Sequence, residues 1–259
     1  MRHFNLLLLM LTLTISAQQP IDTKFIKTTH LQAETLVGID NFKTFYLLNT
    51  SVLEKKDSNK TITYSNIQLG DVTSVNAYNP LKINIFYRAF NTVVILDNRL
   101  AEIFKIDFNN ITSYKSISHV STGYDNTLWV FNQDNQQLEL YDYKTNTTRT
   151  KTVPIASTVI DLKSNYNYCW ALTNTHLYVY NYFGSLVQKI KNNGFTSMVE
   201  TNGNLVLKKD NSLYFLKKNT EVFRPIITPK LLIKQFFVTN ETLYIYNDKT
   251  LSEYQILIN

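Results

Sequence analysis

Short runs of apolar and aromatic residues, bounded by Asn, Asp or Gly, recur along the chain and carry the strand signature of alternating or clustered β-branched and aromatic positions. The clearest is Asn79-Pro80-Leu81-Lys82-Ile83-Asn84-Ile85-Phe86-Tyr87-Arg88-Ala89-Phe90-Asn91-Thr92-Val93-Val94-Ile95-Leu96-Asp97. It predicts a β-hairpin entered through a turn. Aromatic-rich strands of the same kind are predicted at 44–48, 83–87, 127–131, 168–172, 204–207 and 242–246. From Tyr46 through Ile85, Trp129, Trp170, Val206 and Tyr244 they are separated by 39, 44, 41, 36 and 38 residues. A period of that size marks a repeat architecture.

Each repeat opens with an apolar strand, and a turn precedes its aromatic strand: Asp40-Asn41, Asn79-Pro80, Asp125-Asn126, Asn165, Asn202-Gly203 and Asn240. These residues tolerate left-handed backbone or cap a turn with their side chains. Third strands are predicted at 52–55, 93–96, 138–141, 177–180, 213–216 and 251–255, and fourth strands at 61–67, 102–106, 149–153, 185–190 and 221–224. The sixth copy lacks a fourth strand, while Thr23-Lys24-Phe25-Ile26-Lys27-Thr28 is a strand to spare ahead of the first. No stretch sustains a helical period, and no Pro/Gly/Ser-rich linker interrupts 18–259.

Radial repetition of four-stranded sheets makes a β-propeller. On its period and strand pattern the chain resembles that family over 18–259, without a WD, kelch, NHL or YWTD signature. The resemblance implies an all-β, six-bladed propeller in one domain, its ring closed by the N-terminal strand. The wording of 79–97 also resembles exported propellers of Bacteroidota-type Gram-negative bacteria. A β-sandwich followed by a small β domain is the alternative that short, regularly spaced strands allow.

Arg2, the apolar run 6–13 and Thr14-Ile15-Ser16-Ala17 ahead of Gln18-Gln19-Pro20 have the layout of a secretory signal peptide spanning 1–17. The run is short for a membrane anchor. The expected destination is therefore outside the cytoplasm, periplasmic or secreted. Cys169 is the single cysteine, so no intramolecular disulfide forms; between Tyr168 and Trp170 it reads as a buried, inert thiol.

Charge is uneven. The formal net charge is +6, and Lys189, Lys191, Lys208, Lys209, Lys217, Lys218, Arg224, Lys230 and Lys234 face only Glu200, Asp210 and Glu221 between positions 181 and 235. Lys208, Lys209, Lys217 and Lys218 are the candidates for contact with an anionic surface; lysines on exposed strand edges also prevent edge-to-edge association. An exported chain makes nucleic acid a poor partner.

Signals for chemistry are few. His30, His119 and His176 have no metal-ligand spacing, and clustered calcium-binding carboxylates are missing, so neither a metal nor a cofactor is expected. His119 falls on a predicted innermost strand, where ordinary packing or hydrogen bonding is the expected role and facing the central channel the alternative. No nucleophile elbow, Walker loop or dinucleotide fingerprint occurs. A glycosidase would need two facing carboxylates, and Asp71, Asp125, Asp161 and Glu200 cannot be placed across a channel from sequence. Trp129 and Trp170 hold equivalent places in neighbouring repeats, which predicts packing of blade on blade.

One loop departs from its siblings. Most second-to-third-strand turns are polar, such as Asn132-Gln133-Asp134-Asn135-Gln136, whereas the second repeat has Arg88-Ala89-Phe90-Asn91 beside Tyr87. Arg and aromatic residues dominate binding hot spots, so Arg88, Phe90, Tyr87 and Asn91 are the candidate binding residues; Phe90 folding back onto its own blade is the structural alternative. The expectation is an exported, non-enzymatic propeller acting as a protein-interaction scaffold in the cell envelope. The alternative is a carbohydrate- or small-ligand-binding propeller, or a propeller hydrolase, using the central channel.

Overall fold

The computed structural model describes residues 19–258; the predicted signal segment lies outside them. In chain order the strands are β1 (Thr23–His30), β2 (Thr35–Ile39), β3 (Phe45–Asn49), β4 (Val52–Lys56), β5 (Thr61–Tyr64), β6 (Ser74–Asn76), β7 (Ile83–Tyr87), β8 (Thr92–Leu96), β9 (Glu102–Asp107), β10 (Ile117–Thr122), β11 (Thr127–Asn132) and β12 (Gln137–Asp142). They continue as β13 (Thr147–Lys151), β14 (Val159–Ser164), β15 (Tyr168–Thr173), β16 (His176–Asn181), β17 (Leu186–Lys191), β18 (Ser197–Thr201), β19 (Asn204–Lys209), β20 (Ser212–Leu216), β21 (Phe223–Ile226), β22 (Gln235–Thr239), β23 (Thr242–Tyr246) and β24 (Thr250–Ile256).

Among the described residues these strands form six antiparallel sheets of four. Five are consecutive, from β2–β5 through β18–β21, and the sixth has the order β22-β23-β24-β1. The first strand of the chain therefore pairs with the last, from Thr23 opposite Ile256 to His30 opposite Thr250. Innermost strands β2, β6, β10, β14, β18 and β22 neighbour one another in a ring. This is a six-bladed β-propeller. No helix of the described residues is long and apolar enough to cross a membrane.

The core is divided among the wedges between blades. Trp129 of the third blade packs with Val159, Leu162, Cys169 and Ala171 of the fourth, and Trp170 of the fourth packs with Met198, Leu205 and Leu207 of the fifth. Phe86, Val93 and Ile95 meet Ile117, Leu128 and Val130 across the second wedge. Middle strands are thus apolar on both faces: every residue of β7 and of β8 is buried. At about 25 cal/mol per Å² of apolar surface removed from water, these wedges are the main stabilising term. Cys169 sits in one of them, fully buried, and desolvation pushes its thiol well above the ordinary range.

The turn residues act in the two ways expected of them. Asp125, Asn202 and Asn240 take left-handed φ values of 51°, 51° and 45°. Asp40 and Asn165 instead cap their turns: Asp40 Oδ1 accepts from Phe42 N and Thr44 N at 2.9 Å, and Asn165 Oδ1 from Asn167 N and Tyr168 N at 2.9 Å. Three fourth strands differ from expectation; the third blade's spans Thr147–Lys151, two residues ahead of its predicted range. The first blade's stops at Tyr64, where Asn66 accepts from Leu69 N and turns the chain into a short 3₁₀ segment, Ile67–Leu69. The fifth blade's starts at Phe223 and ends at Ile226, whose neighbour Ile227 donates its N–H to Ile21 O.

Antiparallel alternation gives the ring two different ends. One carries the first-to-second and third-to-fourth strand turns, here the hairpin end. The other carries the second-to-third strand turns and the links between blades, here the crossover end.

Candidate functional site

At the crossover end, the four residues predicted for binding divide into two pairs. Tyr87 closes β7 and is fully buried, its Oη unpartnered. Asn91 is also buried. It adopts φ 49°, ψ 39°, and its N–H donates to Arg88 O, closing the 3₁₀ turn Arg88–Phe90. Its side chain donates to Lys115 O at 2.7 Å and Asn109 Oδ1 at 3.2 Å and accepts from Ile117 N at 3.0 Å. Asn91 is therefore a fastener and Tyr87 a core residue; neither presents a side chain to solvent.

Arg88 and Phe90 do. Arg88 N donates to Thr73 Oγ1 at 3.0 Å, while its side chain is exposed. Phe90 is 46% exposed and lies over Gly70, where a Cβ would stand 3.6 Å from its ring. Its carbonyl accepts from Asn109 Nδ2 and Thr92 Oγ1 at 3.0 and 2.8 Å. Gly70 and Asn109, from the loops that lead into and out of this blade, are in contact with this turn. Burial first and the Arg88 charge second hold the His119 imidazole of β10 down at about 4, with Asp161 opposing and Lys163 adding to the shift.

The central channel encloses about 680 Å³ and is lined from the first, second, fourth, fifth and sixth blades. Toward its hairpin end Tyr78, from the turn after β6, meets Tyr166, from the turn after β14. Their centroids are 5.2 Å apart and their planes 83° apart, the edge-to-face geometry that a ring quadrupole favours. Below them Ser164 Oγ donates to Ser121 Oγ at 2.7 Å, and Asn76 Nδ2 donates to the same oxygen at 3.0 Å. Asn76 Oδ1 accepts from Thr122 Oγ1 at 3.0 Å. The second and fourth blades thus join across the third, whose innermost strand is covered.

Three carboxylates line this channel: Asp40, which caps its turn as described above, Asp161 and Glu200. Asp161 Oδ2 accepts from Met198 N at 2.8 Å, and Oδ1 pairs with Lys163 at 3.2 Å. Glu200 Oε1 accepts from Gly203 N at 2.7 Å and Asn165 Nδ2 at 2.9 Å. Glu200 has no ion pair among the described residues, and burial raises its carboxyl above the usual range despite those two donors. Asp161 and Glu200 stand on adjacent strands, and the Met198 contact puts them two residues out of level, roughly 7 Å along the wall. Both belong to the fourth- and fifth-blade side of the channel lining. Asp71 binds Ser51 Oγ and Asp125 neighbours Arg149, both away from the channel lining.

The four candidate lysines do not converge. Lys208 and Lys209 end β19 at the crossover end; Lys217 and Lys218 follow β20 at the hairpin end, a strand's length away. Lys218 Nζ lies 4.8 Å from the Tyr168 ring centroid. Among the described residues no group of three or more His, Cys, Asp or Glu is placed to hold a metal ion.

Sequence reading missed the tyrosine corner because Tyr78 and Tyr166 occupy turns of non-adjacent repeats. A usable signal existed in those turns: an aromatic residue beside the turn-forming Asn in each, as Tyr78-Asn79 and Asn165-Tyr166.

No family model matches the chain, and no curated protein matches it in sequence. In structure it is similar to a chain of the mitotic checkpoint complex, with a TM-score of 0.63 and 12% identity over 93% of this chain and 87% of that one. It is also similar to virginiamycin B lyase from Staphylococcus aureus, in a catalytically inactive H270A form with quinupristin, with a TM-score of 0.58 and 11% identity over 88% and 99% of the two chains. At such identities the likeness is one of fold, and the fold is the β-propeller.

Proposed function

We propose that this protein is an exported, non-enzymatic propeller that serves as a protein-interaction scaffold in the cell envelope, with Arg88 and Phe90 as its contact. The observation that carries the reading is preorganisation. An exposed guanidinium and a half-exposed ring sit two residues apart on a turn held by the three side-chain hydrogen bonds of Asn91. Arg and aromatic side chains contribute most per residue at interfaces, and a turn already ordered before binding loses less entropy on association. Export rests on the signal-like segment 1–17.

The test uses the full chain immobilised against extract of its native envelope, beside the double variant Arg88→Ala/Phe90→Ala and the control Tyr87→Phe. A protein recovered by wild type and control, depleted about tenfold by the double variant, and rebinding when purified is the expected outcome. Equal recovery by all three removes Arg88 and Phe90 from the contact. Export is checked separately by the mass of the native protein, expected to start at Gln18; an uncleaved cytoplasmic chain overturns it.

A further inference from the structure

We propose that the hairpin-end mouth of the channel is a binding site for a small organic molecule carrying an ammonium group, held between the Tyr78 and Tyr166 rings and the Glu200 carboxylate. The site is separate from Arg88 and Phe90, which lie at the crossover end.

Three features point to a cation. First, two tyrosines about two-fifths exposed stand at right angles in the same cavity wall. A corner of ring faces attracts a cation, and quaternary ammonium groups are recognised by such aromatic surrounds. Second, Glu200 has its Oε1 occupied by Gly203 N and Asn165 Nδ2, while Oε2 makes no hydrogen bond. A half-buried carboxylate with one oxygen uncommitted and no counter-charge gains most from a positive group. Its charge also reaches Tyr78, whose hydroxyl is pushed up to about 12 by burial first and Glu200 second.

Third, the lysines of the cavity wall, Lys163 and Lys234, are otherwise engaged, as is Lys82 of the Tyr78 turn. Lys163 pairs with Asp161 at 3.2 Å, and Lys82 Nζ donates to Asp125 O at 2.6 Å. Lys234 is paired with Asp248. Lys218, whose side chain passes Gly203, points its Nζ at the Tyr168 ring, so no lysine pairs with Glu200 among the described residues. The remaining volume, walled by Val37, Val75 and Phe237, accommodates the apolar or hydroxylated body attached to the ammonium group.

The experiment titrates the full chain with choline, with its uncharged isostere 3,3-dimethyl-1-butanol and with maltose, following the tyrosine ring resonances by NMR and the affinity by calorimetry. Choline is expected to bind at about 1 mM or tighter and the isostere about tenfold more weakly. Glu200→Gln, which keeps an acceptor for Gly203 N, should weaken choline about tenfold. Tyr78→Phe, which keeps the ring, should leave it within about threefold. Arg88→Ala/Phe90→Ala should leave it unchanged, so failure here is distinguishable from failure of the scaffold reading. Equal affinity for choline and isostere, undiminished binding by Glu200→Gln, tighter binding of maltose, or no binding of choline up to about 100 mM overturns the proposal.

Discussion

Lys115 and Glu139 form an ion pair of 2.5 Å inside the third blade, with side-chain exposures of 5% and 0%. Glu139 is otherwise saturated: Asn132 Nδ2 donates to Oε1 at 2.9 Å and Thr148 Oγ1 to Oε2 at 2.9 Å. The same lysine's carbonyl accepts from Asn91, so the pair underlies the turn that displays Arg88 and Phe90. Breaking a buried pair from one side strands a charge, whereas replacing both partners by apolar groups removes the desolvation cost as well. Lys115→Met should therefore destabilise by about 3–5 kcal/mol, and Lys115→Met/Glu139→Leu by clearly less. Urea unfolding monitored by tryptophan fluorescence measures both; equal losses would mean that packing rather than charge governs this site.

Buried Glu139 and half-buried Glu200 should respond to acid with opposite signs. Burial pushes the Glu139 carboxyl up, but donors Lys115, Asn132 and Thr148 pull it further down, leaving it below the ordinary 4.5. Its contribution is present above that value and disappears as the pH falls through the lower folded value. Glu200 is raised above 4.5, so the fold loses stability as the pH rises from 4.5 toward its folded value. Glu139→Gln should remove the acid-side loss attributable to this group, while Glu200→Gln should flatten the decline on the rising side. Thermal midpoints of the two variants between about pH 3 and 7 check the signs.

His119 titrates at about 4 rather than 6.5, chiefly through burial and next through Arg88. The folded state disfavours the imidazolium, so this residue costs stability as the pH falls from 6.5 to about 4. Arg88→Ala removes one repelling charge and should move the His119 titration upward, observable on its imidazole resonances. An unmoved titration would show that the Arg88 guanidinium does not reach His119.

Asn91 combines a left-handed backbone with three side-chain hydrogen bonds. Asn91→Gly keeps the backbone freedom and loses the bonds, for an expected loss of roughly 1–3 kcal/mol. Asn91→Ala adds about 1–2 kcal/mol for the strained backbone. The ordering Asn > Gly > Ala in denaturation midpoints is the check; Ala equal to Gly would show that the turn relaxes.

Tyr87 offers the contrasting case. Its hydroxyl is buried without a hydrogen bond, so Tyr87→Phe should be neutral or slightly stabilising, since it removes a desolvated polar group without orphaning a partner. A loss above about 1 kcal/mol would show that the hydroxyl has a bonded partner.

The strands, their repeat and their turns were legible in the chain because local chemistry sets them. β-Branched and aromatic runs select extended backbone, and Asn, Asp and Gly supply left-handed or side-chain-capped reversals. Trp129 and Trp170 lie where their repeat positions placed them, in adjoining wedges. Tyr87 was harder to read: a middle strand is apolar on both faces, so a tyrosine at its end looks the same whether it points into a wedge or toward solvent. The lysine cluster was close in sequence, yet one strand reversal sends Lys208 and Lys209 to one end and Lys217 and Lys218 to the other. Proximity between repeats depends on the ring. Tyr78 and Tyr166 meet across an intervening blade, Lys115 finds Glu139, and Glu200 finds no ion-pair partner among the described residues. Those relationships fix burial, charge and accessibility, and the repeat does not encode them because it says which positions are equivalent, not which side chains meet.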